Sequence, residues 1–143
     1  MKKKISIVTP TYNEDQNIEK LIFEIKKIMD SLQSKYDYEH IVIDNRSTDN
    51  TINILKKIAK KNKNLKVIIN SRNFGHIRSP FYGLLQSKGD ASIFLNADFQ
   101  DPPDCTCSEE VMYIFGRTFL VEKLIQNFKK YCRYLFRILI QKS

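Results

Sequence analysis

Two hydrophobic periods alternate along the first hundred residues. Lys4 to Thr9 is a β-branched run that predicts a strand closed by Pro10. After the polar loop Thr11-Tyr12-Asn13-Glu14, in which Asn13 or Asp15 is placed to cap a helix, Ile18, Leu21, Ile22, Ile25, Ile28, Met29 and Leu32 recur at helical spacing. Glu39 to Ile43 predicts a second strand ending at Asp44. The loop Asn45 to Asp49 carries N-cap residues, and Ile52, Leu55, Ile58 and Ala59 mark a second helix. Leu65 to Ile69 predicts a third strand, and Ile77, Phe81, Leu84 and Leu85 a third helical stripe. Ala91 to Leu95, preceded by the breaker pair Gly89-Asp90, is an apolar run too short for a helix and predicts a fourth strand.

This alternation predicts an α/β fold, a Rossmann-like doubly wound and mostly parallel sheet over residues 1–104. Beyond Asp104 lies a tail, helical in pattern from Glu109 to Ser143. Leu120, Leu124, Phe128, Tyr131 and Leu135 recur with Lys129, Lys130, Arg133 and Arg137 among them. This tail, 105–143, reads as a basic amphipathic helix on an anionic bilayer, as a helix packed on the sheet, or as a rearranged segment never selected to fold here.

With 143 residues the chain has the size of one domain, short for an enzyme with two substrates. It has no apolar run long enough to span a membrane, and Ile5 to Val8 is too brief for a signal-peptide core, so a cytoplasmic location is expected. A basic tail helix would add peripheral contact with the inner membrane face. Cys105, Cys107 and Cys132 lack paired metal-site spacing and are expected to be free thiols. Half of the net charge of +8 lies beyond Asp104. No basic stripe interleaved with stacking aromatics on a known module appears in the first hundred residues, so nucleic acid is not an expected partner.

The chemistry gathers where strands end. Glu14, Asp44 and Asp98 each follow a different strand, and in a parallel sheet these ends share one edge, where α/β proteins bind ligands. Asp98, Asp101 and Asp104 recur every third position on a turn stiffened by Pro102 and Pro103. Carboxylate oxygens there suit a hard divalent cation that also holds phosphates; an Asp-rich turn in water is the plainer alternative. Neither a Gly-x-Gly-x-x-Gly fingerprint nor a P-loop is present.

Four ordered blocks resemble the family 2 glycosyltransferases, in particular the branch similar to dolichol-phosphate mannose synthase and bacterial polyprenyl-phosphate glycosyltransferases. They are Val8 to Glu14, Ile43 to Thr51, Ser71 to His76, and Ala97 to Pro103. The resemblance implies the nucleotide-binding half of a GT-A fold. It also implies sugar transfer, with inversion, from a nucleotide-diphosphate sugar to a lipid-phosphate or cell-envelope glycan acceptor such as polyprenyl phosphate. By position it implies that Pro10, Tyr12 and Glu14 line the nucleoside pocket and that Asp44 binds the base or ribose. Asp98 would hold Mg²⁺ or Mn²⁺ on the diphosphate, with Gln100 nearby. Arg72 and Arg78 face phosphate or stand as solvated charges, and His76 caps the third helix.

Two departures accompany the resemblance. Asn96 and the Asp44-Asn45-Arg46 run stand where the family often has Asp and Asp-Asp-Gly, and a neutral Asn is a weaker partner for a hard dication. Nothing beyond Asp104 corresponds to the family's acceptor half, so no general base is named. The alternative is a non-catalytic nucleotide-sugar-binding fragment or partner subunit. A nucleotidyltransferase would want a glycine-rich basic loop after the first strand, and Thr9 to Glu14 has no glycine.

Overall fold

The computed structural model describes residues 2–97, 113–116 and 139–140. In chain order it forms β1 (Lys3–Thr11), α1 (Ile18–Ser31), β2 (Tyr36–Asp44), α2 (Thr51–Ala59), β3 (Leu65–Ile69), α3 (Gly75–Leu85), β4 (Ala91–Phe94), β5 (Tyr113–Gly116) and β6 (Leu139–Ile140). The sheet order is β3-β2-β1-β4-β5-β6. β1 to β4 are mutually parallel, β5 runs antiparallel to β4, and β6 runs parallel to β5.

The expected α/β alternation holds, with shifted edges. Pro10 lies inside β1, opposite Ile43 of β2. Successive residues of a strand point their backbone groups to opposite neighbours. Thr11 accepts from the Asn45 N–H on the β2 side, so Pro10 turns its missing donor toward β4, whose pairing ends at Phe94. The helical reading of the tail is corrected at six positions. Tyr113–Gly116 and Leu139–Ile140 are strands that extend the sheet beyond β4. Pairing of β5 against the free edge of β4, and of β6 against β5, overrides the local helical period there. The other residues of that reading, with the proposed membrane helix and the three cysteines, lie outside the described residues.

One face of the sheet carries α1 and α2. Ile18, Leu21, Ile22, Ile25 and Met29 are buried against Ile5, Ile7, Val42, Leu65 and Ile93. Neither Asn13 nor Asp15 caps α1. The Glu14 carbonyl takes the Asn17 and Ile18 N–H groups, while the Asn17 amide donates to the Glu14 carboxylate at 2.9 Å.

α3 is turned over relative to its apolar stripe. Ser79, Pro80 and Gly83 are its buried residues, whereas Ile77, Phe81 and Leu85 are 71%, 57% and 66% exposed. Close packing is the cause. A β-carbon at Gly83 would lie 2.8 Å from a Val8 methyl and 3.2 Å from one of Ile43, so small residues must face the sheet.

At the opposite end of the strands from the loops above, Glu39 is almost fully buried. Its carboxylate accepts from Ser6 Oγ (2.7 Å) and the Lys88 N–H (2.7 Å), and pairs with Lys4 (3.3 Å) and Lys66. Burial alone would raise this carboxyl. The hydrogen bonds from Lys66, Ser6, Lys88 and Lys4 together outweigh it and bring the pKa down to about 2.

Candidate functional site: a cavity at the strand-order reversal

The chain moves from β1 outward to β2 and β3, then returns through α3 to place β4 on the other side of β1. The crevice beyond the ends of β1 and β4 is therefore the point where strand order reverses, the usual ligand site of such sheets. A cavity of about 450 Å³ opens there. Pro10, Thr11, Tyr12 and Glu14 line it from β1 and its loop, Asn45 and Asn73 from the next two loops, and Gly75, His76, Ser79 and Pro80 from α3. Phe94, Asn96 and Ala97 complete the wall.

Three loops form the rim, and side-chain bonds join them. Asn13, in the left-handed region at φ 56°, donates its N–H to Ser47 Oγ (2.9 Å) and accepts the Thr48 N–H (2.8 Å). Asn tolerates this conformation better than most residues. The Glu14 N–H reaches Thr51 Oγ1 (2.9 Å), and the Asp15 N–H reaches Asp49 (3.1 Å). Asp49 also accepts the Thr51 N–H at the start of α2 (3.0 Å). Although burial would raise the Asp49 carboxyl, these bonds prevail and hold it below its ordinary value.

Asn45 ties the second loop to the third. Its oxygen accepts the Phe74 N–H (2.9 Å) and an Asn70 amide hydrogen (3.2 Å). Its nitrogen donates to Asn73 Oδ1 (2.8 Å) and the Gly75 carbonyl (3.2 Å). A backbone N–H can only donate, so the Phe74 contact sets which end of the amide is oxygen.

The sequence-derived residues divide on this frame. Pro10, Tyr12 and Glu14 line the cavity. Asp44 does not. It is 0% exposed, and the Ser47 N–H (2.9 Å) and Ser47 Oγ occupy its two oxygens, so it braces the loop behind the wall. As the last residue of β2 it points inward, and its neighbour Asn45 reaches the cavity instead. Arg72 is not among the lining residues; its guanidinium sits 4.9 Å from the Phe74 ring centroid, a cation–π contact. Arg78 is exposed and also absent from the lining. His76 is not the cap of α3, a place taken by Phe74, but a cavity residue. Asn73 was likewise missed as a lining residue. The signal for both was their place in the Ser71–His76 block, which carries no acid to draw attention.

Asp98 and Gln100, the expected metal ligands, lie outside the described residues, as do Asp101 and Asp104. Asp98 directly follows Ala97, which lines the cavity. Among the described residues no three His, Cys, Asp or Glu side chains gather as a metal site. No described helix is long and apolar enough to cross a membrane.

Comparison with known proteins matches the glycosyl transferase family 2 profile to residues 6–115. An uncharacterized glycosyltransferase of Bacillus subtilis, YkcC, is 37% identical over 99 residues, 69% of this chain and 30% of that protein. The undecaprenyl-phosphate 4-deoxy-4-formamido-L-arabinose transferase of Proteus mirabilis is 34% identical over 102 residues, 71% of this chain and 31% of that protein. The chain thus spans about 30% of the length of these curated relatives.

Among solved structures, Staphylococcus aureus TarS 1–349 in complex with UDP-GlcNAc superposes with a TM-score of 0.55 at 30% identity, over 66% of this chain and 26% of that one. The mannosyltransferase PcManGT of Pyrobaculum calidifontis, in complex with GDP-Man and Mn²⁺, gives 0.59 at 24% identity over 68% and 28%, a likeness of fold. The profile match covers most of the chain and the same doubly wound sheet recurs in these structures; the chain belongs to glycosyl transferase family 2.

Proposed function

We propose that residues 1–104 form the donor-binding unit of a glycosyltransferase. It takes a nucleotide-diphosphate sugar and passes the sugar, with inversion, to a lipid-phosphate or cell-envelope glycan acceptor. The carrying observation is the cavity of about 450 Å³ at the strand-order reversal, within the range that small-molecule sites occupy. In this reading the half-exposed Tyr12 ring is the platform for the base. Glu14 and the Asn73 amide nitrogen supply hydrogen-bonding groups, while Asn45, with its amide fully engaged, holds the second and third loops together behind them. His76, at the start of α3, faces the diphosphate end.

A dication fits the donor chemistry of the segment that follows Ala97. Asp98 offers a hard carboxylate oxygen and Gln100 a carbonyl, both suited to Mg²⁺ or Mn²⁺. When bound, the metal neutralises charge that builds on the leaving diphosphate. Support for this donor class comes from GDP-Man with Mn²⁺ in PcManGT and UDP-GlcNAc in TarS. Support for a polyprenyl-phosphate acceptor comes from the undecaprenyl-phosphate transferase relatives. The alternative reading is a donor-binding module without transfer of its own.

Calorimetric titration with UDP, GDP and dTDP, with and without Mn²⁺, tests the shared part of both readings. Binding that Mn²⁺ strengthens and that Asp98→Asn renders metal-independent is expected. Failure to bind any of the three nucleotides refutes the donor-site assignment. Radiolabelled transfer to polyprenyl phosphate then separates enzyme from module.

A further inference from the structure

Positive charge is concentrated on the last turn of α2 and the residues that follow it. From Asn50 to Gly89 the chain carries nine Lys or Arg and no Asp or Glu. Five of these, Lys56, Lys57, Lys60, Lys61 and Lys63, fall within eight residues at the end of α2 and just beyond it. All five are exposed, and none of them takes part in the ion pairs formed by Lys3, Lys4, Lys26 and Lys66. The α2 dipole favours the two lysines in its last turn. It does not account for the spacing of Lys56 from Lys60 and Lys57 from Lys61, at which like charges repel, in a helix with no acid to relieve them.

Beside the lysines lies an apolar groove of about 270 Å³ between the two helices. Ile22 and Phe23 of α1 and Ile58 of α2 form its apolar floor, with Lys26, Lys57 and Lys61 on its borders and Glu19 as the one acid. Phe23 is 63% exposed. An exposed aromatic ring ringed by long lysine stems is the arrangement that lies at a bilayer interface: the ring enters the headgroup–acyl boundary while the amines reach lipid phosphates.

We infer that the α1–α2 face, through Phe23, Lys57, Lys60 and Lys61, docks on the surface of an anionic lipid bilayer. Charge complementarity selects this occupant, since a dense, unpaired lysine patch fits the diffuse negative potential of such a leaflet. The ring and groove give it an apolar anchor that a purely electrostatic polyanion site would not need. This surface is separate from the donor cavity, with which it shares no lining residue. None of its residues belongs to the basic tail, 105–143, so variants of the two can be made independently.

The test is co-sedimentation of the full 143-residue chain with vesicles of phosphatidylcholine alone or with about a third phosphatidylglycerol. Binding to the anionic vesicles only, released by raising the salt well above physiological, is expected. Each lysine near an anionic surface strengthens binding about fivefold. The Lys57→Gln/Lys60→Gln/Lys61→Gln variant should therefore bind roughly a hundredfold more weakly. Phe23→Ser should bind about tenfold more weakly through loss of apolar burial.

A charge-matched control, Lys2→Gln/Lys35→Gln/Lys88→Gln, should keep most of the affinity. Equal losses in the two triple variants would reduce the effect to net charge and overturn the inference. It would also be overturned if Lys129→Gln/Lys130→Gln/Arg133→Gln/Arg137→Gln abolished binding while the α2 variant retained it. Preferential capture of duplex DNA over the anionic vesicles would assign the face to nucleic acid instead.

Discussion

Asn45→Asp probes the junction of the second and third rim loops with a change of one functional group, and it installs the acid that the family often carries there. Asn45 makes four side-chain bonds, two accepted and two donated. Asp keeps the bonds from Phe74 N–H and Asn70 but loses both donations, at about 1 kcal/mol each. Its carboxylate would then face Asn73 Oδ1 and the Gly75 carbonyl, lone pair against lone pair. Rotating the Asn73 amide restores one bond but removes the acceptor of the Gly75 N–H, now at 2.8 Å. The net loss should be about 1–2 kcal/mol for Asn45→Asp and about 2–4 kcal/mol for Asn45→Ala, which forfeits all four bonds.

Urea unfolding gives the stability order, wild type above Asp above Ala. Amide hydrogen exchange at Phe74 localises the effect, because that N–H is bonded to the Asn45 side chain. Faster exchange at Phe74 in Asn45→Ala, with slower changes in the β1–β2 core, is expected. An Asn45→Asp protein as stable as wild type, or unchanged Phe74 exchange in Asn45→Ala, would refute the account of this junction.

Three further outcomes follow from the geometry. Glu39→Gln should destabilise by about 2–3 kcal/mol at pH 7, after allowing for the water around its two lysine partners. The Glu39 pKa is depressed in the folded state, so its contribution is complete above about 4.5 and fades as pH falls toward about 2. The stability gap between wild type and Glu39→Gln, measured by denaturant unfolding, should shrink over that window; a constant gap refutes it. Arg46 is exposed and held at φ 68°, a region that costs a residue with a β-carbon about 1–2 kcal/mol. After the greater chain entropy of glycine is subtracted, Arg46→Gly should raise stability by up to about 1 kcal/mol, and a lower unfolding midpoint would contradict this. Gly83→Leu should cost more than about 3 kcal/mol because even its first carbon meets Val8 and Ile43, and an unshifted melting temperature would show that α3 does not lie so close.

Local periodicity determined the order of the first four strands and three helices, and for α1 it determined the buried face as well. Its apolar side chains are numerous enough that only one orientation hides them. The parallel order then implied a rim at which Glu14 meets the cavity. Tertiary packing decided the rest. α3 shows its apolar stripe to the outside because the sheet beneath it admits only Ser79, Pro80 and Gly83, and hydrophobicity carries no record of that distance. Asp44 and Asn45 are adjacent in sequence, but the end of β2 sends the acid inward to Ser47 and the amide to the cavity. Charge alone could not show that Asp44 turns away from the cavity, because a carboxylate satisfied by loop hydrogen bonds and one awaiting a ligand are the same residue in the chain. Strand pairing at Tyr113–Gly116 likewise depends on a free edge of β4 that exists only once the sheet has formed, a non-local partner that no window of sequence contains.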